Sequence, residues 1–186
     1  MTKALVCGQR RLSAKAQAFA VVVALIAAVA LPQIVHTTGV VLGVGAGLGE
    51  MLLPMQLPIL LLGFLVGPWA GLAAGLFAPL VSFALTGMPG QAMLPFIAIE
   101  LCVYGLTTGV LRGKSLPVWG KVVVAQAAGR LVRAVAIFLA VSILGFSAVP
   151  VSVIWTSISV GVYGLILQWI LIPVILSWVE KQNEWD

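Results

Sequence analysis

Six apolar segments follow one another along this chain, each close to the length that crosses a lipid bilayer. A helix needs about 20 residues to cross the ~30 Å hydrocarbon layer, because each residue adds ~1.5 Å. Only 8% of the 186 residues are charged, whereas a soluble domain carries about a quarter. The sequence therefore predicts an all-α membrane protein with one domain over 1–186, and it excludes an ordinary soluble enzyme and a disordered chain. The predicted helices are 14–36, 51–66, 69–85, 93–111, 121–145 and 151–179.

The positions of the basic residues predict the orientation of these helices. The connecting segments 37–49, 86–92 and 146–150 contain no Lys or Arg. Basic residues concentrate in cytoplasmic segments of membrane proteins, so both termini are predicted to be cytoplasmic, with a short basic segment at 1–15. The net charge of +5 is thus explained by a lipid bilayer rather than by nucleic acid. The residues on the predicted cytoplasmic side are Lys3, Arg10, Arg11, Lys15, Arg112, Lys114, Lys121 and Lys181.

The first apolar run has a second interpretation. A basic head followed by apolar residues 16–31, with Ala28 and Ala30, is also typical of a cleavable signal peptide. The run continues beyond Pro32, however, which favours a first spanning helix.

Three charged residues lie inside predicted helices: Glu100 in the fourth, and Arg130 and Arg133 in the fifth. An unpaired charge in hydrocarbon costs at least ~2.5 kcal/mol, so these side chains are expected to point into the bundle. Gln126 shares a helix face with the two arginines, and Tyr104 shares one with Glu100. Two interpretations stay open: a pocket for a small polar or anionic solute, or a structural pair between Glu100 and an arginine such as Arg130, with Arg133 contacting backbone carbonyls.

Two other segments supply candidate pocket residues. In the second helix, Pro54 and Pro58 free backbone carbonyls that a neighbouring helix or a ligand must satisfy. In the sixth helix, three larger or polar side chains recur every four residues and share one face. Each of these side chains is also compatible with simple packing. The candidates are Met55, Gln56, Trp155, Ser159 and Tyr163.

The sequence contains no pattern typical of an enzyme. His36 is the single histidine and stands at the outer end of the first helix, where an interfacial role is expected. No group of ligands for a metal and no activated nucleophile can be recognised. The glycines of 37–49 lack the spacing and the Lys-Ser/Thr pair of phosphate-binding loops. No catalytic activity, metal or cofactor is therefore predicted.

Two series of small residues recur at every fourth position. Such series allow helices to approach closely in a membrane. The alanine series in the first helix predicts contact with a partner, although internal packing remains an alternative. The glycine series is expected to serve contacts between the second and third helices. The two series are Ala16, Ala20, Ala24 and Ala28, and Gly63, Gly67, Gly71 and Gly75.

Several motifs resemble the substrate-binding S component of energy-coupling factor vitamin transporters. The similarity covers nearly the whole chain and includes the six helices, the alanine series and the runs 53–58, 62–68 and 79–89. Glu100 with Tyr104-Gly105, and Ala128-Gly129-Arg130, are also similar. Gln56 stands where the resemblance would lead us to expect a histidine.

The resemblance implies a function in the bacterial cytoplasmic membrane. Proteins of this family bind a vitamin in an outward-facing pocket beneath the loop between the first two helices. They then dock onto a membrane coupling protein that works with two cytosolic ATPases. By this resemblance, 37–49 would cover the pocket and the alanine series would face the coupling protein. The alternatives are a stand-alone secondary transporter or channel, and then an integral-membrane enzyme.

Overall fold

A computed structural model describes residues 13–43, 45 and 47–183 of the chain, and all regular structure in these ranges is helical. Six spans in this part are long and apolar enough to cross a membrane, and α2 and α3 together make the second span. The prediction of an all-α protein with six such spans is confirmed. Residues 1–12, which include most of the predicted basic segment, lie outside the described ranges. The helices are α1 (Ala14–Val41), α2 (Gly47–Leu52), α3 (Gln56–Leu65), α4 (Pro68–Thr86), α5 (Leu94–Leu111), α6 (Val118–Ser142) and α7 (Val153–Asn183).

The first connection is shorter than the predicted loop 37–49. Helix α1 continues to Val41, and α2 begins at Gly47. The hydroxyls of Thr37 and Thr38 donate to the carbonyls of Gln33 and Ile34, at 2.8 and 2.7 Å. These bonds satisfy the threonine side chains within the helix, so the prediction of a loop was wrong for 37–41 and for 47–49.

The second span is broken, although the sequence predicts one continuous helix over 51–66. Helix α2 ends at Leu52 and α3 begins at Gln56. Pro54 lacks an N–H group and disfavours a helical conformation at the residue before it. Leu53, the residue before Pro54, leaves the right-handed helical conformation and has a positive φ of 49°. The carbonyl of Leu53 accepts hydrogen bonds from the Gln56 N–H at 3.1 Å and from Gln168 Nε2 in α7 at 3.2 Å, so the turn at the break and a neighbouring helix both satisfy this backbone group.

Glycines bring α4 and α5 into direct backbone contact. A Cβ atom at Gly71 would collide with the backbone of Gly105, and one at Gly75 with the backbone of Leu101. Gly63 in α3 lies against Thr108 of α5 in the same way. The glycine series therefore serves contacts within the chain, as expected. These glycines pack against α5, however, and not against each other's helices as predicted.

The alanine series of α1 also packs within the chain. Ala28 is fully buried and Ala24 nearly so, and both belong to the main apolar core with residues of α3 and α4 such as Ile59 and Ala74. Ala20 packs against the same core. Ala16, near the start of α1, is half-buried. Ala24 and Ala28 are thus internal packing residues in this structure, in contrast to the expectation that the whole series faces a coupling protein.

Candidate functional site

A cavity of about 490 Å³ lies among the helix ends nearest to the α1–α2, α4–α5 and α6–α7 connections. Small-molecule sites typically measure about 300–1,000 Å³. Most of the wall is apolar and includes Met55, Met88 and Met93, with no Phe, Tyr or Trp among the described lining residues. Methionine adapts its shape readily to a ligand. The cavity therefore has the size and the wall of a small-molecule site.

The break between α2 and α3 forms one side of this cavity. Leu53, Pro54 and Met55 all line it, and Gln56 at the start of α3 follows them. Interrupted membrane helices are tolerated where the irregular backbone lies in protein or borders a cavity. The proline that breaks the second span thus also places Met55 and Gln56 at the cavity, where the sequence predicted them.

A buried ion pair lies at the inner end of the cavity. Arg133 Nη1 lies 2.6 Å from Glu100 Oε2, and the Tyr104 hydroxyl donates to Glu100 Oε1 at 2.5 Å. Glu100 and Arg133 line the cavity, whereas Tyr104 lies behind Glu100 and is fully buried. Both carboxylate oxygens are therefore bound by protein groups.

The arginine in this pair is Arg133, whereas the sequence left Arg130 as an equal candidate. At 1.5 Å per residue, Glu100 lies about 9 Å from the cavity end of α5. Arg133 lies about 14 Å and Arg130 about 18 Å from the corresponding end of α6. Arg133 is thus nearer in depth to Glu100. Arg130 does not line the cavity, and its Nη1 instead donates to the Ser157 carbonyl at 3.1 Å, so the roles expected of the two arginines are exchanged.

Four polar side chains in the cavity wall carry buried atoms without a hydrogen-bond partner in the described part of the protein. Two belong to side chains that are almost completely buried, since Gln56 is 5% exposed and Ser82 is 1% exposed. Buried polar atoms are nearly always hydrogen-bonded, because an unpaired one costs about 1–3 kcal/mol. All four side chains line the cavity, so a polar molecule bound there lies next to the groups that carry these atoms. They are Gln33 Nε2, His36 Nδ1, Gln56 Oε1 and Ser82 Oγ.

His36, Gln33 and Ser82 were missed as cavity residues by the sequence analysis. The ring of His36 packs directly on Gly49, with no room there for a Cβ atom. The sequence placed His36 at an interface because it has no obvious partner near it in the chain. Ser82 had a usable signal: it is the one polar residue on the buried α4 face that also carries Ala74 and Ala78.

The predicted face of the last helix points away from the cavity. Trp155 is 72% exposed and Tyr163 is 59% exposed, and Ser159 is also exposed. Thr156 and Ser157 line the cavity instead. A spacing of four residues identifies faces of a helix but not which face turns inward, and most of α7 is exposed, so several stripes were compatible with the pattern.

Gln126 belongs to a separate polar contact between α6 and α7. Its Nε2 donates to Gln168 Oε1 at 2.8 Å, and its Oε1 accepts from Trp169 Nε1 at 2.6 Å. Gln126 does not line the cavity. Of the ten predicted pocket residues, the structure brings four to the cavity: Met55, Gln56, Glu100 and Arg133.

Within the described ranges, no three His, Cys, Asp or Glu side chains are placed so that they could hold a metal ion. Comparisons with protein-family models, with curated proteins and with solved structures find no match for this chain.

Proposed function

We propose that the chain is the substrate-binding membrane subunit of an importer for a vitamin or related micronutrient. The observation that carries the proposal is the cavity of about 490 Å³ whose wall holds four buried polar atoms without protein partners. Separate coupling and ATPase subunits, of the energy-coupling factor type, would supply the energy for import.

The distribution of basic residues supports an orientation with the cavity facing outward. Lys15 lies at the start of α1, whereas the cavity residues of α1 lie near its end. Arg112, Lys114 and Lys121 likewise lie at the ends of α5 and α6 remote from the cavity, as Lys181 does in α7. By the positive-inside tendency, both termini are then cytoplasmic. The resemblance to energy-coupling factor proteins implies that the membrane is the bacterial cytoplasmic membrane. The cavity would receive its solute from outside.

Binding is tested by purifying the full chain in lipid nanodiscs and examining it by native mass spectrometry. We expect a small molecule to be released from the purified protein, and a panel of vitamins to include one that raises its unfolding temperature. Absence of any released molecule, together with no stabilisation by the panel, would contradict the proposal. The same measurements on a Ser159→Ala variant serve as a control, because Ser159 lies on an exposed face of α7.

A second candidate function is a stand-alone secondary transporter. The observation that favours it is the buried Glu100 beside the cavity, since intramembrane carboxylates occur in proton pathways. Uptake of the released molecule is measured in cells that carry the chain with and without paired ATPases and a coupling protein. Uptake that requires those subunits and survives a protonophore supports the importer. Uptake by the chain alone that a protonophore abolishes supports the secondary transporter.

A further inference from the structure

We infer that the ligand of this cavity carries no net charge and presents both a hydrogen-bond donor and an acceptor, as an amide, a lactam or a hydroxyl group does. The inference rests on the proposed binding function and narrows its substrate class. Two observations support it: the buried charged groups at the cavity are already paired, and several polar groups in its wall have no partner in the described structure.

An anionic ligand would find no unpaired cation in the described part of the cavity wall. Arg133 is the one Lys or Arg among the described residues that line the cavity. Its guanidinium is bound to the Glu100 carboxylate at 2.6 Å, so the pair is neutral as a whole. Arg130, the other arginine within the bundle, does not line the cavity: its Nη1 donates to the Ser157 carbonyl in α7, and its Nε and Nη2 are buried without a partner among the described residues, outside the cavity wall. A carboxylate or phosphate would therefore lose its hydration without gaining an unpaired cation.

The carboxylates at the cavity are either paired or exposed. Both oxygens of Glu100 are occupied, one by Arg133 and one by the Tyr104 hydroxyl. The other carboxylate at the cavity, Glu50, lies in α2 and is exposed. An exposed carboxylate is hydrated and attracts a cation only weakly. A positively charged ligand thus finds no unpaired carboxylate in the buried part of the cavity.

The polar groups of the cavity wall that have no partner in the described ranges supply both donors and acceptors. Gln33 Nε2 is a donor, Gln56 Oε1 is an acceptor, and Ser82 Oγ can act as either. His36 adds an imidazole nitrogen. The two glutamine amides and the serine hydroxyl carry no formal charge. Together they are complementary to a neutral ligand with a donor and an acceptor, while the methionine-rich wall accommodates an apolar frame.

The test compares ligands that differ in charge and little else. The probes are nicotinamide with nicotinate, panthenol with pantothenate, and biotinamide with biotin, each titrated against the purified full chain in nanodiscs. We expect the neutral member of a binding pair to bind about tenfold more tightly or better. Tighter binding of the anionic member would overturn the inference and leave the proposed function standing. If no member binds and no molecule is released from the purified protein, the proposed function fails and the inference with it.

A charge change at the ion pair provides a second readout. Glu100→Gln removes the carboxylate but keeps the side-chain size, so Arg133 becomes an unpaired cation at the cavity. We expect the relative preference for the anionic probe to increase by about tenfold or more. A folded Glu100→Gln variant with an unchanged preference would overturn the inference. Glu180→Gln, at the opposite end of α7, is the matched control and should leave the preference unchanged.

The double variant Glu100→Gln/Arg133→Gln covers the case in which Glu100→Gln alone does not fold. It keeps the cavity neutral, so we expect it to retain the preference for the neutral probe over the anionic probe, whatever the change in affinity for both. A folded double variant that binds the anionic probe more tightly than the neutral probe would overturn the inference.

Discussion

Two buried glutamines differ in how the protein treats their amides. Gln126, between α6 and α7, donates to Gln168 and accepts from Trp169. Gln56, beside the cavity, has a buried carbonyl oxygen without a partner in the described structure. The two side chains are equally buried, at 3% and 5% exposure. Burial therefore does not distinguish a residue that joins helices from a residue that is available to a ligand, whereas hydrogen-bond partnership does.

The same difference separates two sets of residues. The partnered cluster comprises two separate networks, and the polar atoms within each bind one another: Glu100 with Tyr104 and Arg133, and Gln126 with Gln168 and Trp169. The cavity set consists of Gln33, His36, Gln56 and Ser82, and each carries an unpartnered buried atom. We expect substitutions in the partnered cluster to change mainly stability, and substitutions in the cavity set to change mainly ligand binding.

The largest effect is expected when one member of the ion pair is removed. Glu100→Leu leaves Arg133 buried without its carboxylate, which should lower the free energy of unfolding by about 3–5 kcal/mol. The double variant Glu100→Leu/Arg133→Leu should recover most of that loss, because apolar residues often replace a buried ion pair at little cost. Unfolding in lipid nanodiscs measures both. Glu180→Leu is the control, and equal losses in the single and double variants would contradict a structural role for the pair.

The next effect concerns the helix that carries part of the partnered cluster. Gly105→Ala places a methyl group against the backbone of Gly71, so α5 must move away from α4. We expect the free energy of unfolding to fall by about 2–3 kcal/mol. Gly47→Ala is the matched control, because a Cβ atom there meets nothing within 4 Å. A loss no larger than that of the control would show that α4 and α5 do not depend on this contact.

The same substitution at the two glutamines tests whether hydrogen-bond partnership separates a stabilising residue from a ligand-binding residue. Gln126→Leu leaves the groups of Gln168 and Trp169 unpaired and should lower the free energy of unfolding by about 1–2 kcal/mol. Gln56→Leu removes an atom that has no protein partner, so its stability should change by less than about 0.5 kcal/mol while ligand affinity falls. Thermal unfolding and titration are measured on both variants. A reversal of the two outcomes would break the distinction.

The smallest change in stability is expected at Ser82. Ser82→Ala removes a hydroxyl that is 1% exposed and unpartnered. Stability should stay the same or increase slightly, while affinity for the released ligand should fall by about tenfold. Ser159→Ala removes a hydroxyl from the exposed face of α7 and should change neither quantity. Equal effects of the two variants on binding would place the ligand away from α4.

The sequence was sufficient for the number of spans, because long apolar runs have few other stable arrangements. It was insufficient for the break after Leu52, since Pro54 lies inside a run that is apolar on average. It also indicated that Glu100 and an arginine turn inward. The choice of Arg133 over Arg130 depended on the depth of each residue in the bundle, which helix packing determines.

Some of the cavity residues were predictable from the sequence and others were not. Met55, Gln56, Glu100 and Arg133 were predictable because a proline or an intramembrane charge marks them. Gln33, His36 and Ser82 carry no such mark: the first two lie three residues apart in α1, and the third lies in α4. Their proximity to one cavity comes from tertiary contacts such as that of His36 with Gly49. Sequence periodicity carries no information on such contacts.

The direct backbone contact of α4 with α5 has an entropic consequence. Gly71 and Gly105 meet without an intervening side chain, so this contact has no rotamers to fix. Ser82 and Glu100 extend from these two helices to the cavity. This side of the site is therefore ordered before a ligand arrives, and the conformational entropy lost on binding falls on the ligand and on the opposite wall.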